Sequence, residues 1–136
     1  MRIGKIVLAG ILGGIAIFVI STALSYFFQA VFGYDVLSLG GMRAVNDPVM
    51  VLFFAYPFVI SFVVAILFER TRKSFGGSVV SQGLSLGLLA WLVSSIPSAF
   101  IVFSSMNYPI GFTANSLAGP LIYMIIAGII IAKIMQ

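Results

Sequence analysis

Few residues in this chain could do chemistry. Its 136 residues contain no cysteine and no histidine, against three acidic and seven basic side chains. Disulfides, thiolate metal sites and cysteine nucleophiles are thereby excluded, together with the commonest metal ligand and the usual general base. Asp35, Asp47 and Glu69 show no ligand spacing, and no nucleophile can be matched to a base. The sequence therefore predicts no cofactor, no metal and no enzymatic activity. What remains is a set of hydroxyls, Ser21, Thr22, Ser25, Ser61, Ser94, Ser95 and Ser98, with Pro57, Pro97 and Pro120 among them.

These groups lie within long apolar runs, and that context decides how to read them. Hydrophobic residues make up 62% of the chain, charged residues 7%, and the mean hydropathy is +1.24. A soluble domain has about 45–50% and 25% respectively. A helix needs roughly 20 apolar residues to cross a hydrocarbon core of about 30 Å, so four spans with short loops consume the length. The predicted fold class is all-α, an integral membrane four-helix bundle of two antiparallel helical hairpins in one transmembrane domain.

The spans are placed at about Lys5 to Phe32, Pro48 to Phe68, Ser78 to Phe103 and Ala114 to Ala132. Gly33-Tyr34-Asp35 stops the first, and Asp47-Pro48 starts the second with an N-cap carboxylate before a proline at the first helical position. The apolar run that begins after Lys5 is too long for a signal-peptide core and reads as a span.

Lysine and arginine set orientation. Arg2, Lys5, Arg70, Arg72, Lys73 and Lys133 fall on one side and Arg43 alone on the other. Both termini are therefore expected in the cytoplasm, with the protein in the plasma membrane and inserted one way round. The cations cap spans instead of covering a face of a wet domain, so the net charge of +4 does not point to nucleic acid.

Membrane helices associate by close packing, which small residues at four-residue spacing permit. The first span carries Gly10, Gly14, Ser21 and Ser25, and the third carries Gly83, Gly87, Ser94 and Ser98 at the same relative spacing. Each set forms one narrow stripe on its helix, so both stripes are expected to be helix-packing faces. The prolines free carbonyls in the outer half of the bilayer, near the depth of the hydroxyls. An outer cavity is the corresponding expectation, with Pro57, Ser61, Pro97, Pro120, Asn115 and Gln29 as candidates. No carboxylate or cation falls mid-span, which argues against ion-coupled carriers. Small multidrug exchangers, which need a glutamate in the first span, are excluded on that ground.

The stretch Asn46 to Phe58, NDPVMVLFFAYPF, and the stretch Gly83 to Ser105, GLSLGLLAWLVSSIPSAFIVFSS, resemble an uncharacterised family of small prokaryotic four-span membrane proteins. The shared features are the D-P helix start, the Y-P pair and a tryptophan followed by proline. The resemblance implies the four-span fold and brings no activity with it. Two functions remain in view. The first is a homo-oligomer or an accessory subunit for a membrane partner, with its role in helix packing within the lipid bilayer. The second is a small channel or facilitator for a neutral or weakly polar solute through the hydroxyl-lined outer half.

Overall fold

The computed structural model describes residues 1–136, which form helices α1 (Ile3–Phe32), α2 (Met50–Thr71), α3 (Val79–Ser105) and α4 (Ile110–Ile134), with no strand. All four are long and apolar enough to cross a membrane. Each boundary has a local cause. Gly33 ends α1 in the left-handed conformation at φ 69°, where its N–H donates to the Gln29 carbonyl at 2.9 Å. A residue with a Cβ adopts that conformation only at a cost.

Asp47 accepts the Val49 N–H at 2.9 Å in the turn that leads into α2. The N-cap position is Val49, which has no side-chain cap, so Asp47 is not the N-cap expected from the sequence. The first turn then runs on i→i+3 bonds, Met50 N–H to the Asp47 carbonyl at 2.9 Å and Leu52 N–H to the Val49 carbonyl at 3.0 Å. The α-helix proper therefore begins two residues after Pro48. Ser78 caps α3 by accepting from Ser81 N–H at 3.2 Å. The largest boundary difference concerns α4, which starts at Ile110 instead of Ala114. Gly111 reads as a loop residue in sequence, but a Cβ there would lie 2.8 Å from the Tyr34 ring and against Phe32. It is a packing glycine inside the helix.

The hairpins α1–α2 and α3–α4 pair as antiparallel neighbours, and α1 packs along α4 to join them. α2 and α3 meet only marginally. The result is a curled row, α2-α1-α4-α3, with α1 and α4 as its back wall. Both chain ends lie at one end of the bundle, termed here the termini end. The α1–α2 and α3–α4 connections lie at the other, the loop end.

The termini half is tightly packed. Ala9, Ala65, Leu86, Ala127 and Ile131 are fully buried there. A Cβ on Gly87 would sit 2.5 Å from the Met124 carbonyl oxygen and 2.7 Å from Ile125 Cα, so the α3 and α4 backbones touch. Gly83 and Gly128 approach each other in the same way. On α1, Gly10 and Gly14 accept the rings of Phe62 and Phe58, each within 2.5 Å of where a Cβ would be, and Gly13 accepts the Ser61 hydroxyl.

A charge clasp closes this end. The Arg2 guanidinium pairs with Glu69 at 2.9 Å and donates to the Gln136 carbonyl at 2.9 Å and to the Met135 carbonyl at 2.5 Å. It thus ties α1 to α2 and neutralises the C-terminal end of the α4 dipole.

Candidate functional site

Toward the loop end the row opens around a cavity of about 500 Å³, walled by all four helices. α1 contributes Phe18, Ser21, Thr22, Ser25, Tyr26 and Gln29, and α2 contributes Phe53, Phe54, Tyr56 and Pro57. From α3 come Ser94, Ser95, Ser98, Ala99 and Val102, and from α4 Phe112, Asn115, Ser116, Pro120 and Tyr123. The α4 set recurs at three- and four-residue steps, as one helical face must.

This geometry divides both small-residue stripes at mid-helix. Gly10, Gly14, Gly83 and Gly87 pack against helices of the same chain, whereas Ser21, Ser25, Ser94 and Ser98 line the cavity. The glycine halves let backbones and rings approach. The serine halves face open space across from one another.

Of the candidates for an outer cavity, Pro57, Pro120, Asn115 and Gln29 line this one. Ser61 lies below it, completely buried against α1, where its hydroxyl donates to the Ala9 carbonyl at 3.5 Å. Pro97 is exposed on the lipid-facing side of α3. The tyrosines Tyr26, Tyr56 and Tyr123 and the serine Ser116 were not among the candidates. The available signal for Ser116 and Tyr123 was their place on the helical face of Asn115 and Pro120.

The lining is mixed, more apolar than polar, and almost free of charge, with Asp35 at the loop edge its single charged side chain. Ser21, Ser94 and Ser116 donate to carbonyls of their own helices, at 3.2, 2.6 and 2.8 Å. That leaves oxygen lone pairs available to a guest. Ser95 and Tyr123 are each 8% exposed. Every fully enclosed side-chain nitrogen or oxygen in the protein has a partner. The Ser95 and Tyr123 hydroxyls bond to no protein atom, so they must face the cavity. Trp91 stands behind this wall, where its ring N–H donates to the Leu117 carbonyl at 2.8 Å beside Pro120.

Gln29 anchors the loop over the cavity. Its amide oxygen accepts the Val36 N–H at 2.7 Å, while its amide nitrogen donates to the Ser25 carbonyl at 3.1 Å and hydroxyl at 3.0 Å. Two tyrosines add further ties, Tyr34 donating to the Gly111 carbonyl at 3.3 Å and Tyr108 to the Gly40 carbonyl at 3.2 Å. Burial raises the Tyr34 hydroxyl pKa above the ordinary tyrosine range, so it stays protonated as a donor. Gln29→Leu keeps the volume but deletes all three bonds. It is expected to cost about 1–3 kcal/mol, because the Val36 N–H loses its acceptor. Hydrogen exchange should show faster exchange at Val36 and Leu37 with the helix interiors unchanged.

The fold and site together define a class, a multi-pass integral membrane protein with a neutral, hydroxyl-lined vestibule at one end of a four-helix bundle. No family model matches the chain, and no curated protein or solved structure shows significant similarity to it.

Proposed function

We propose that this chain is a non-enzymatic membrane protein that takes up an uncharged, hydrogen-bonding molecule in its vestibule, as a small facilitator resting open toward one side. The observation that carries the reading is the chemistry of the cavity: hydroxyls and amides from all four helices, aromatic rings between them, and charge only at the rim. Ionic solutes would find no counter-charge inside. Uncharged donors and acceptors would replace water's bonds one for one.

The cation asymmetry in the sequence supports an orientation with both termini in the cytoplasm of a plasma-membrane protein and the vestibule outside. The Gly83–Gly128 and Gly87–Met124 contacts close the termini half, so movement of a ligand inward would require α3 and α4 to part there. Oligomerisation has less support, because the glycines that suggested it are occupied within the chain.

The test is a thermal-shift panel on purified protein in mild detergent, with uncharged hydroxyl or amide compounds set beside charged counterparts of similar size. Uncharged compounds should raise the unfolding midpoint of the native protein and fail to do so in Ser98→Phe, which fills the vestibule from α3 without removing an internal bond. Equal stabilisation by charged compounds, or an unaltered response in Ser98→Phe, would falsify the reading.

A further inference from the structure

The vestibule has an open side. Tyr56 of α2 and Ser98 of α3 both line it, yet these two helices scarcely meet, and Tyr56 is 50% exposed. Phe53 and Phe54, 47% and 44% exposed, border the same gap. Tyr56 lies six residues in from the start of α2 at Met50, and Ser98 seven residues in from the end of α3 at Ser105. At the rise of an α-helix that is about 10 Å below the loop end, within reach of acyl chains. The loop end is meanwhile partly roofed, since Asp35, Val36 and Leu37 border the cavity and Gln29 holds them in place.

Hydroxyls reached from hydrocarbon are costly to leave without partners. The gap is edged by aromatic rings on α2 and by the exposed Ser98 on α3, while the other polar groups stand deeper, mainly on α1 and α4. A guest that matches this order has a polar head and an apolar tail. Its head carries no charge, because the wall offers no cation to a phosphate and Asp35 at the rim would repel one. We propose that the ligand is a membrane-borne amphiphile with an uncharged, hydroxyl-bearing head, which enters sideways between α2 and α3 and leaves its tail in the gap. This rests on the vestibule being a site for uncharged molecules, and adds the ligand's class and its route.

Native mass spectrometry from detergent can compare three probes at equal concentration: a monoacylglycerol, the lysophosphatidate of the same chain length, and free glycerol. The monoacylglycerol should give a one-to-one adduct, with the other two about tenfold weaker. The adduct should be lost in Ser98→Phe and kept in Val93→Phe, since Val93 is 69% exposed away from the cavity. Glycerol binding as well as the monoacylglycerol would overturn the amphiphile while leaving a site for uncharged solutes. Equal binding of lysophosphatidate would overturn the uncharged head, and no adduct with any probe would overturn both proposals.

The absence of cysteine permits a second measurement that does not depend on the bulky variant. A spin label on Ser98→Cys in lipid nanodiscs should collide more with membrane-dissolved oxygen than with an aqueous nickel chelate. The reverse order would mean that no side opening exists.

Discussion

Gly87→Leu is expected to abolish the native bundle, costing about 3 kcal/mol or more through overpacking. A Cβ at this position meets the Met124 carbonyl oxygen at 2.5 Å and Ile125 Cα at 2.7 Å. These are backbone atoms, so no side-chain rotation relieves the collision and the α3–α4 pair must separate. Gly83→Ala meets the same kind of wall at the Gly128 carbonyl, 2.8 Å away, and should cost about 2 kcal/mol.

Gly10→Ala is different, because its nearest neighbours are atoms of the Phe62 ring, which can swing aside. There the helix-propensity gain of about 1 kcal/mol offsets much of the collision. Gly4 has nothing near it, so Gly4→Ala serves as the control and should be neutral or slightly stabilising. Unfolding midpoints in one detergent check the series. If Gly10→Ala proves as damaging as Gly83→Ala, the distinction between ring contacts and backbone contacts is wrong.

Pro57→Ala is expected to make the protein more stable and worse at holding its ligand. Proline cannot donate to the Phe53 carbonyl four residues back, which breaks the ladder of α2 where it borders the vestibule. Alanine restores that bond and removes a penalty of about 3 kcal/mol for proline in a helix interior, so the unfolding midpoint should rise. A continuous α2 would carry Phe53, Phe54 and Tyr56 toward α3 and narrow the gap, lowering affinity by about tenfold. Pro97→Ala is the comparison. It sits on the lipid-facing side of α3, so it should raise stability with little effect on binding. Equal loss of binding in both variants would show that stiffness in general matters, and not the shape of α2.

Depth was legible in the sequence and direction was only partly so. Hydropathy located all four spans, and Gly33 fixed the end of α1 through capping chemistry that needs no tertiary partner. The start of α4 was misplaced because Gly111 means loop or close packing depending on whether Phe32 and Tyr34 are near, and only the fold brings them there. The stripes show a similar limit. Glycine and serine both count as small residues in helix packing, and the sequence does not say that Gly87 meets the α4 backbone while Ser94 lines a cavity.

Pro97 could have been set apart. At about 100° per residue it points roughly 115° from the centre of the face that holds Ser94, Ser95, Ser98 and Val102. Ser61 could not, since it shares a face with Pro57 and differs only in being buried against α1 below the cavity. The neutral lining was readable in part, from the lack of mid-span charge, while the contribution of Tyr26 and Tyr56 needed the packed structure.

The back wall pairs α1 with α4, the two of these four helices farthest apart along the chain. During synthesis α1 and α2 can meet as soon as both have entered the bilayer, but the Ser21, Thr22 and Ser25 side of α1 must wait in lipid until α4 arrives. Local hairpin contacts are expected to precede assembly, with the α1–α4 pairing, which spans the intervening two helices, as the slower long-range step. The Arg2 clasp onto Met135 and Gln136 can form only after that meeting, so it registers the completion of the bundle instead of guiding it.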